Sequence, residues 1–399
     1  MTIKEVISTP LSYQCDVLVC GGGFAGISAA LAARRQGKKV ILTEKQYILG
    51  GLGTAGIVTI YLPLCDGCGR QVSFGIAEEL LRLSISMGVE AKYPENWLDS
   101  TDPASRTEKD KRFEVQYNPQ LFAILAEQLL IKEGVEILYG TYAVAAHTEN
   151  SKIDAVICEN KSGRFAISAK SVVDATGDAD IALFAGAPAE KFGQGNVLAA
   201  WYYSVGDKGY QLRMLGASDI PDEDKTGSET APLISRRFSG LDGKELSEQT
   251  ILSHAQTLSD IKSKRKNGEE IIPVTMATTP QIRMTRRIAG EYTMDTSDEH
   301  RYFDDSIGLV SNWKKRGPVY EVPFGTLYSK EIKNLICAGR CTSVTDAMWD
   351  VMRVIPCCAI TGQAAGTAAA MTDDFTAIDV NLLQETLRRD GVVIHEKDL

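Results

Sequence analysis

Three glycines near the start of the chain have the spacing of a dinucleotide-binding turn. They are Gly21, Gly23 and Gly26 in the pattern G-x-G-x-x-G, with Phe24 and Ala25 between them. Glycines at these positions let the backbone come close to a pyrophosphate, and the N-terminus of the following helix stabilises its negative charge. A tight turn without a ligand can have the same spacing, so the triplet alone is weak evidence.

An acidic residue strengthens this prediction. Glu44 ends a second apolar run, roughly 20 residues beyond the glycines, which is the separation expected of a ribose-binding carboxylate. Its two oxygens can accept hydrogen bonds from both ribose hydroxyls, and its charge would repel a 2′-phosphate. Lys45 follows directly, and we assign both residues to the cofactor site.

A cluster of arginines provides candidate contacts to a substrate. Arg283, Arg286 and Arg287 lie close together in the sequence. Their guanidinium groups can bind a carboxylate or a phosphate through paired hydrogen bonds. At least one of the three is expected to face solvent or a structural carboxylate instead.

Two later arginines are open to two interpretations. Arg340 and Arg353 either orient a substrate or pair with Asp346 or Asp350. None of the four histidines lies in a recognisable general-base motif.

Cys65 and Cys68 have the C-x-x-C spacing of redox dithiols and of half a zinc site. No second pair of this spacing supplies two further zinc ligands, since Cys357 and Cys358 are adjacent. No metal site is predicted. Because short matches are often accidental, loop thiols are the favoured interpretation and a redox dithiol is the alternative.

The elements that position these residues begin with a βαβ unit. Residues 15–20 predict a buried strand, 24–36 a helix that ends at Gly37, and 39–43 a second strand. The two strands should be parallel and adjacent.

Three later regions complete the predicted core. Short β-like runs between 135 and 174 predict antiparallel hairpins, inserted into the nucleotide-binding core. Residues 172–178 and 334–339 predict two more core strands, and 356–371 a helix made mostly of small residues.

The predicted fold class is α/β, with a doubly wound Rossmann-like domain that carries the β insertion. Residues 193–318 are richer in aromatic and charged residues and predict a smaller α+β domain that caps the site and contacts the substrate. The nucleotide-binding domain is then discontinuous and comprises residues 1–192 and 319–399.

Charge and composition limit the expected partners. A net charge of −9 opposes an extended basic face, so neither nucleic acid nor an anionic membrane is an expected partner. No apolar stretch reaches the roughly 20 residues needed to span a bilayer. Nine cysteines without a recognisable export signal indicate a cytoplasmic location. The expected partner is a small molecule, and the oligomeric state is not determined.

The ordered motifs resemble those of the bacterial FAD-dependent oxidoreductase family, flavoproteins of the two-dinucleotide-binding-domain type with a glutathione reductase-like FAD fold. The resemblance covers most of the chain. It rests on residues 16–26, 44 with 49–51, 175–178, 283–292, 338–340, 353–356 and 362–366.

The resemblance implies non-covalent FAD and further cofactor contacts from Gly50, Gly51, Ala175, Thr176, Gly177, Gly339, Arg340, Gly362 and Ala365. It also implies that a helix starting near Thr361 points its N-terminus at the flavin ring. The partial positive charge of a helix N-terminus would stabilise negative charge on the ring.

Many members of this family have a histidine in the stretch that follows residues 338–340. Asp346 stands near that place here, so neither histidine-based proton transfer nor a covalent flavin link through that histidine is implied. Asp346 and Tyr292 are the candidate replacements.

The resemblance implies hydride transfer between flavin N5 and a small polar organic substrate, carboxylated substrates included, bound by the arginines. The electron donor or acceptor is unknown. Three alternatives stay open: a thiol–disulfide flavoenzyme that uses Cys65 and Cys68, an NAD-dependent dehydrogenase, and a non-catalytic flavin-binding subunit.

Overall fold

The computed structural model describes residues 2–88, 113–207, 209–216 and 232–399. The elements of its first part are β1 (Leu11–Cys20), α1 (Phe24–Arg35), β2 (Val40–Glu44), β3 (Ile60–Tyr61), α2 (Ile76–Ile85), β4 (Val115–Gln116), α3 (Pro119–Glu133), β5 (Glu136–Tyr139), β6 (Tyr142–Glu149), β7 (Lys152–Asn160), β8 (Gly163–Asp174), α4 (Asp180–Ala185) and β9 (Ala189–Lys191). They are followed by β10 (Tyr202–Gly206), β11 (Gly209–Arg213), α5 (Gly243–Lys266), β12 (Ile271–Met276), β13 (Arg286–Ile288), β14 (Ser306–Ser311), β15 (Val319–Pro323), β16 (Leu335–Cys337), α6 (Asp346–Met352), α7 (Ile355–Met371) and α8 (Val380–Arg389).

The predicted βαβ unit at the start of the chain is confirmed. Strands β1 and β2 are parallel neighbours, with Val17 opposite Val40, and α1 connects them. The end of β1 and all of β2 are buried, as expected of apolar runs in a parallel sheet that is covered on both faces.

The parallel part of the main sheet has the order β5-β2-β1-β8-β16. The prediction that residues 136–139 belong to the antiparallel insertion was wrong, because β5 pairs in parallel with β2. Helix α3, capped by Asn118 and ended by Gly134 in the left-handed conformation, returns the chain to the sheet at this place. The rest of the predicted insertion is confirmed as an antiparallel meander of β6, β7 and the first part of β8.

A smaller three-stranded antiparallel sheet, β11-β10-β12, lies with α5 in the region predicted to cap the site. A separate hydrophobic cluster there contains Leu198, Phe238 and Ile282. Residues after 283 do not belong to this separate cluster. Strand β13 pairs with β9, and the hairpin β14–β15 contributes to the main hydrophobic cluster. A domain boundary at residue 318 would therefore divide this hairpin.

Helix α7 crosses α1 at very short range. An ideal Cβ at Gly362 would lie 2.3 Å from the carbonyl oxygen of Ala25, and one at Gly366 would lie 2.1 Å from that of Ala29. Only glycine permits this approach. Helix α7 follows an 88° bend after α6, and no single helix in the described ranges is long and apolar enough to cross a bilayer, although α6 and α7 taken together meet those criteria.

Candidate functional site

The carboxyl ends of β1, β2, β8 and β16 border one cavity of about 340 Å³. Ligands of open α/β sheets bind at this edge. The cavity brings together these predicted residues: Gly21, Gly23, Phe24, Ala25, Glu44, Lys45, Gly50, Gly51, Ala175, Thr176, Gly177, Gly339, Arg340, Arg283 and Arg353. The predicted residues that do not line it are Gly26, Gly362, Ala365, Arg286, Arg287, Asp346 and Tyr292.

The first glycine turn has the shape that a pyrophosphate needs. Gly21 has a φ of 107°, and an ideal Cβ at Gly26 would lie 1.8 Å from the Gly21 carbonyl oxygen. Gly26 therefore packs directly against the Gly21 carbonyl group, on a side of the turn where no side chain fits. An ideal Cβ at Gly23, by contrast, has no heavy atom within 4 Å. The turn thus leaves open space in front of the unpaired N–H groups at the start of α1.

The second glycine turn is attached to the first. The Gly50 N–H donates to the Gly22 carbonyl oxygen at 2.8 Å, and Gly50 and Gly51 have φ values of 99° and 56°. An ideal Cβ at Gly51 would lie 3.2 Å from the Cα of Gly23. A side chain at Gly51 would therefore narrow the cradle between the two turns, whereas one at Gly50 would meet the Thr54 side chain within its own turn.

Glu44 is buried at the end of β2, beside the first turn. Its Oε2 accepts a hydrogen bond from the Gly22 N–H and its Oε1 accepts one from the Gln46 N–H, both at 2.7 Å. Burial raises the pKa of this carboxyl group, although both backbone hydrogen bonds oppose the shift. Each carboxylate oxygen retains acceptor capacity, so Glu44 fits the ribose role predicted for it.

Asp174 fixes the third turn, which contains Ala175, Thr176 and Gly177. Its fully buried carboxylate accepts from the Thr176 N–H at 3.1 Å, from Thr176 Oγ1 at 2.6 Å and from the Ala182 N–H at 3.0 Å. Burial raises its pKa. Sequence reasoning missed this role, although an aspartate directly before the turn was a visible signal.

Arg340 ties the smaller sheet region to the main domain. Its Nη1 donates to the carbonyl oxygens of Ile282 and Arg283 at 3.0 and 2.9 Å. Its Nη2 lies 3.3 Å from Asp178 Oδ1. The carboxylate partner of Arg340 is therefore Asp178, and neither Asp346 nor Asp350 fills that role.

Arg353 pairs with Asp350, one of the two partners considered for it. Its Nε donates to Asp350 Oδ1 at 3.0 Å, and its Nη2 contacts the same oxygen. Asp350 has no exposed surface, and its other oxygen lies 2.5 Å from Lys314 Nζ.

The three clustered arginines separate into two groups. Arg283 lines the cavity, and its guanidinium lies over the Trp201 ring, 4.7 Å from the centroid. Arg286 pairs with Asp180 at 2.6 Å and Arg287 with Glu190 at 2.5 Å. The expectation that at least one of the three binds a structural carboxylate is confirmed.

Asp346 and Tyr292 lie outside the cavity. Asp346 Oδ2 accepts from the Gly193 N–H at 3.3 Å. The Tyr292 hydroxyl donates to Asp298 at 2.8 Å, and burial raises the pKa of Tyr292 to about 12. Neither residue is placed to exchange a proton with a ligand of this cavity.

Gly362 packs against the backbone of α1 at Ala25, Ala365 is buried, and neither residue lines the cavity. Helix α7 starts at Ile355, earlier than the start near Thr361 that the resemblance implied. Val354, Ile355 and Cys358 line the cavity in their place. The N-terminal end of the helix therefore faces the cavity through its first turn.

The cysteines of the C-x-x-C pair do not line the cavity, and Cys65 is buried whereas Cys68 is exposed. Cys358 does line it, but burial raises the pKa of its thiol to about 12, so the thiol is protonated at neutral pH. In the described ranges, no group of three or more histidine, cysteine, aspartate or glutamate residues is arranged to hold a metal ion.

Several cavity residues were not predicted from the sequence. Asp178 and Asp180 line it beside the third turn. Burial and the neighbouring carboxylates of Asp178 and Asp174 raise the pKa of Asp180 to about 6. The outer wall is formed by residues without a local motif, which are Val58, Ile60, Leu62, Gly240, Leu246, Thr279, Pro280 and Ile282.

A parallel sheet whose strand ends hold two joined glycine turns and a buried ribose-type carboxylate defines a dinucleotide-binding protein. A family model described as FAD dependent oxidoreductase matches residues 16–200 and 199–387. The chain belongs to this family, and its cofactor is FAD.

Among curated proteins, the chain is 31% identical over 126 residues to a thioredoxin reductase of Ureaplasma parvum, covering 32% of this chain and 35% of that protein. It is 28% identical over 154 residues to YgcN of Escherichia coli, a probable electron transfer flavoprotein-quinone oxidoreductase, covering 36% and 32% respectively. The chain thus matches about a third of the length of these relatives.

A solved structure similar to this chain is p-nitrophenol 4-monooxygenase PnpA from Pseudomonas putida. Its TM-score is 0.46 at 12% identity, over 94% of this chain and 84% of that one.

Proposed function

We propose that this protein transfers a hydride between a carbon atom of a small polar organic substrate, carboxylated substrates included, and N5 of a non-covalently bound FAD. The continuity of the cavity supports this proposal. One space extends from Glu44, past the glycine turns, to Arg340, Arg353 and the first turn of α7. The bound flavin supplies the hydride chemistry.

In this proposal the residues of the chain bind and orient both reactants. The turn at Gly21–Gly26 and the N-terminus of α1 hold the diphosphate, and Glu44 binds the ribose. The first turn of α7 and Arg353 place positive charge at the other end of the cavity, which favours a negatively charged group there. The segment 278–283 closes that end from the side of the smaller sheet.

The second reactant is proposed from a relative. The name of the E. coli relative YgcN includes an electron transfer flavoprotein and a quinone, so an electron carrier is the candidate partner in the other half-reaction. The dithiol alternative has less support, because neither Cys65 nor Cys68 lines the cavity.

The test is anaerobic reduction of the purified flavoprotein. NADH, NADPH and a panel of hydroxy, amino and unsaturated acids are added, and bleaching of the flavin absorbance is followed. A donor deuterated at the reacting carbon should bleach the flavin more slowly than the unlabelled donor if a hydride is transferred. Bleaching by dithionite alone would contradict the proposal, and loss of donor-driven bleaching in Cys65→Ser would favour the dithiol alternative.

A further inference from the structure

We infer that the flavin cavity takes an organic monoanion with an apolar body, and that Arg353 binds its anionic group. This inference rests on the proposed function and narrows its substrate class. Two features of the cavity carry it: an apolar outer wall and a buried group of three charges that ends at Arg353.

The outer wall offers mostly hydrocarbon. Its side chains come from Val58, Ile60, Leu62, Leu246, Pro280 and Ile282. Gln281 Nε2 donates to the Gly56 carbonyl oxygen at 2.6 Å, and the Thr278 N–H donates to that of Ala55 at 2.8 Å. These bonds connect the part of the wall near residues 55–62 to the part near residues 278–282. A purely polar substrate would lose hydration here without gaining new partners.

Most other arginines near the cavity are already engaged. Neither Arg286 nor Arg287 lines the cavity. Arg286 pairs with Asp180, which does line it, and Arg287 pairs with Glu190, which does not. Arg340 donates to two carbonyl oxygens and faces Asp178. The guanidinium face of Arg283 is covered by the Trp201 ring. An anion in the cavity would have to displace existing partners at Arg340.

Arg353 differs in both geometry and charge. Asp350 engages Nε and Nη2, and Nη1 has no hydrogen-bond partner within the described ranges, while the residue lines the cavity. Asp350 is also paired with Lys314, so two cations share one buried carboxylate. The group therefore carries one excess positive charge, which an anionic ligand would neutralise.

Asp350 acts as a positioning residue in this arrangement. It lies three positions before Arg353, at the end of α6, and its carbonyl oxygen accepts from Trp313 Nε1 at 2.9 Å. This contact and the Lys314 ion pair connect the chain beyond β14 to the bend between α6 and α7. Asp350 thereby holds Nε and Nη2 of Arg353, and Arg353 lines the cavity.

The test measures ligand binding to the FAD-loaded protein through changes in the flavin absorbance. The probes are benzoate and hexanoate, the neutral amide of each, and acetate. At least one of the two larger acids is expected to bind about tenfold or more tightly than its amide, since a charge-assisted hydrogen bond is lost in the amide. Acetate, which lacks the apolar body, should bind about tenfold or more weakly than that acid.

Four variants test whether the effect belongs to the charge group. Arg353→Gln should remove the preference for acid over amide, and Lys314→Gln should reduce it. Lys315→Gln, which removes an exposed charge from the adjacent position, should leave it unchanged. Flavin content and the melting temperature establish that each variant is folded. Asp350→Asn adds one positive charge to the group, so a weaker preference for acid over amide in this variant is expected only if Asp350 positions the Arg353 guanidinium.

Three results would overturn the inference: equal binding of acids and amides, binding of acetate as tight as that of the larger acids, and an unchanged acid preference in Arg353→Gln. The absence of any spectral change with all probes would overturn it as well. None of these results affects the proposed hydride transfer, which fails if the flavin is bleached only by dithionite.

Discussion

Replacing Gly23 and Gly362 by alanine separates a glycine that faces a ligand from one that packs two helices. Gly23 has φ −70° and ψ 179°, which alanine adopts without strain, and its Cβ would enter open space. Gly23→Ala should stabilise the apoprotein by about 0.4–1 kcal/mol, since the unfolded chain loses entropy. In the FAD complex the same methyl group would push the pyrophosphate away from the turn.

The expected loss in FAD affinity follows from the hydrogen bonds involved. Losing one charge-assisted backbone hydrogen bond costs about 1.5–3 kcal/mol. This cost raises the dissociation constant of FAD by roughly 10- to 150-fold. Gly362→Ala should behave in the opposite way. Its Cβ would lie 2.3 Å from the backbone of Ala25, overpacking costs about 1–3 kcal/mol, and the gain in helix propensity returns at most about 1 kcal/mol.

The assay is urea unfolding of each apoprotein, together with titration of FAD into it by flavin fluorescence. The wild-type protein is the reference for both quantities. The reasoning is refuted if Gly23→Ala destabilises the apoprotein as much as Gly362→Ala does, or if Gly23→Ala binds FAD with wild-type affinity.

Three further predictions concern Glu44, Asp180 and the cysteines. Glu44→Gln should weaken FAD binding about tenfold, since an amide cannot accept the hydrogen bonds that both oxygens of the carboxylate accept; unchanged affinity in an FAD titration would contradict the ribose role. The folded state raises the pKa of Asp180 to about 6. Between about pH 4 and 6 the folded state therefore binds more protons than the unfolded state. The contribution of Asp180 to the free energy of unfolding falls as pH rises through that window. Asp180→Asn should remove this negative slope from the unfolding free energy of the apoprotein, and an identical pH profile would show that the shift is absent. Iodoacetamide at pH 7.5 should modify exposed Cys68 before Cys358, whose thiol has a pKa of about 12; peptide mass spectrometry that finds Cys358 modified first would contradict its burial.

The dinucleotide turn was predictable because its determinants are local. Gly21 has a φ of 107° and Gly26 leaves no room for a Cβ, so both positions require glycine, and the position of Glu44 follows from the length of one βαβ unit. The strand β5 was assigned wrongly because a short apolar run has no period that distinguishes a core strand from a hairpin. Its place was decided by α3, which determines where the chain returns to the sheet.

The arginines illustrate what sequence spacing does not contain. Arg286 and its partner Asp180 are separated by 106 positions, so their pairing exists only after the sheet has formed. Small residues such as Gly362 and Ala365 suit both a contact with a ligand and close packing against another helix. Only the position of α1 in the folded chain distinguishes these two roles. The glycine turn and Glu44 predicted a dinucleotide from the sequence alone, since their spacing is a local property of one βαβ unit, whereas FAD followed from the family resemblance. The tertiary structure decided which charges remain for a substrate, because the burial and pairing of a guanidinium depend on residues far away in the chain.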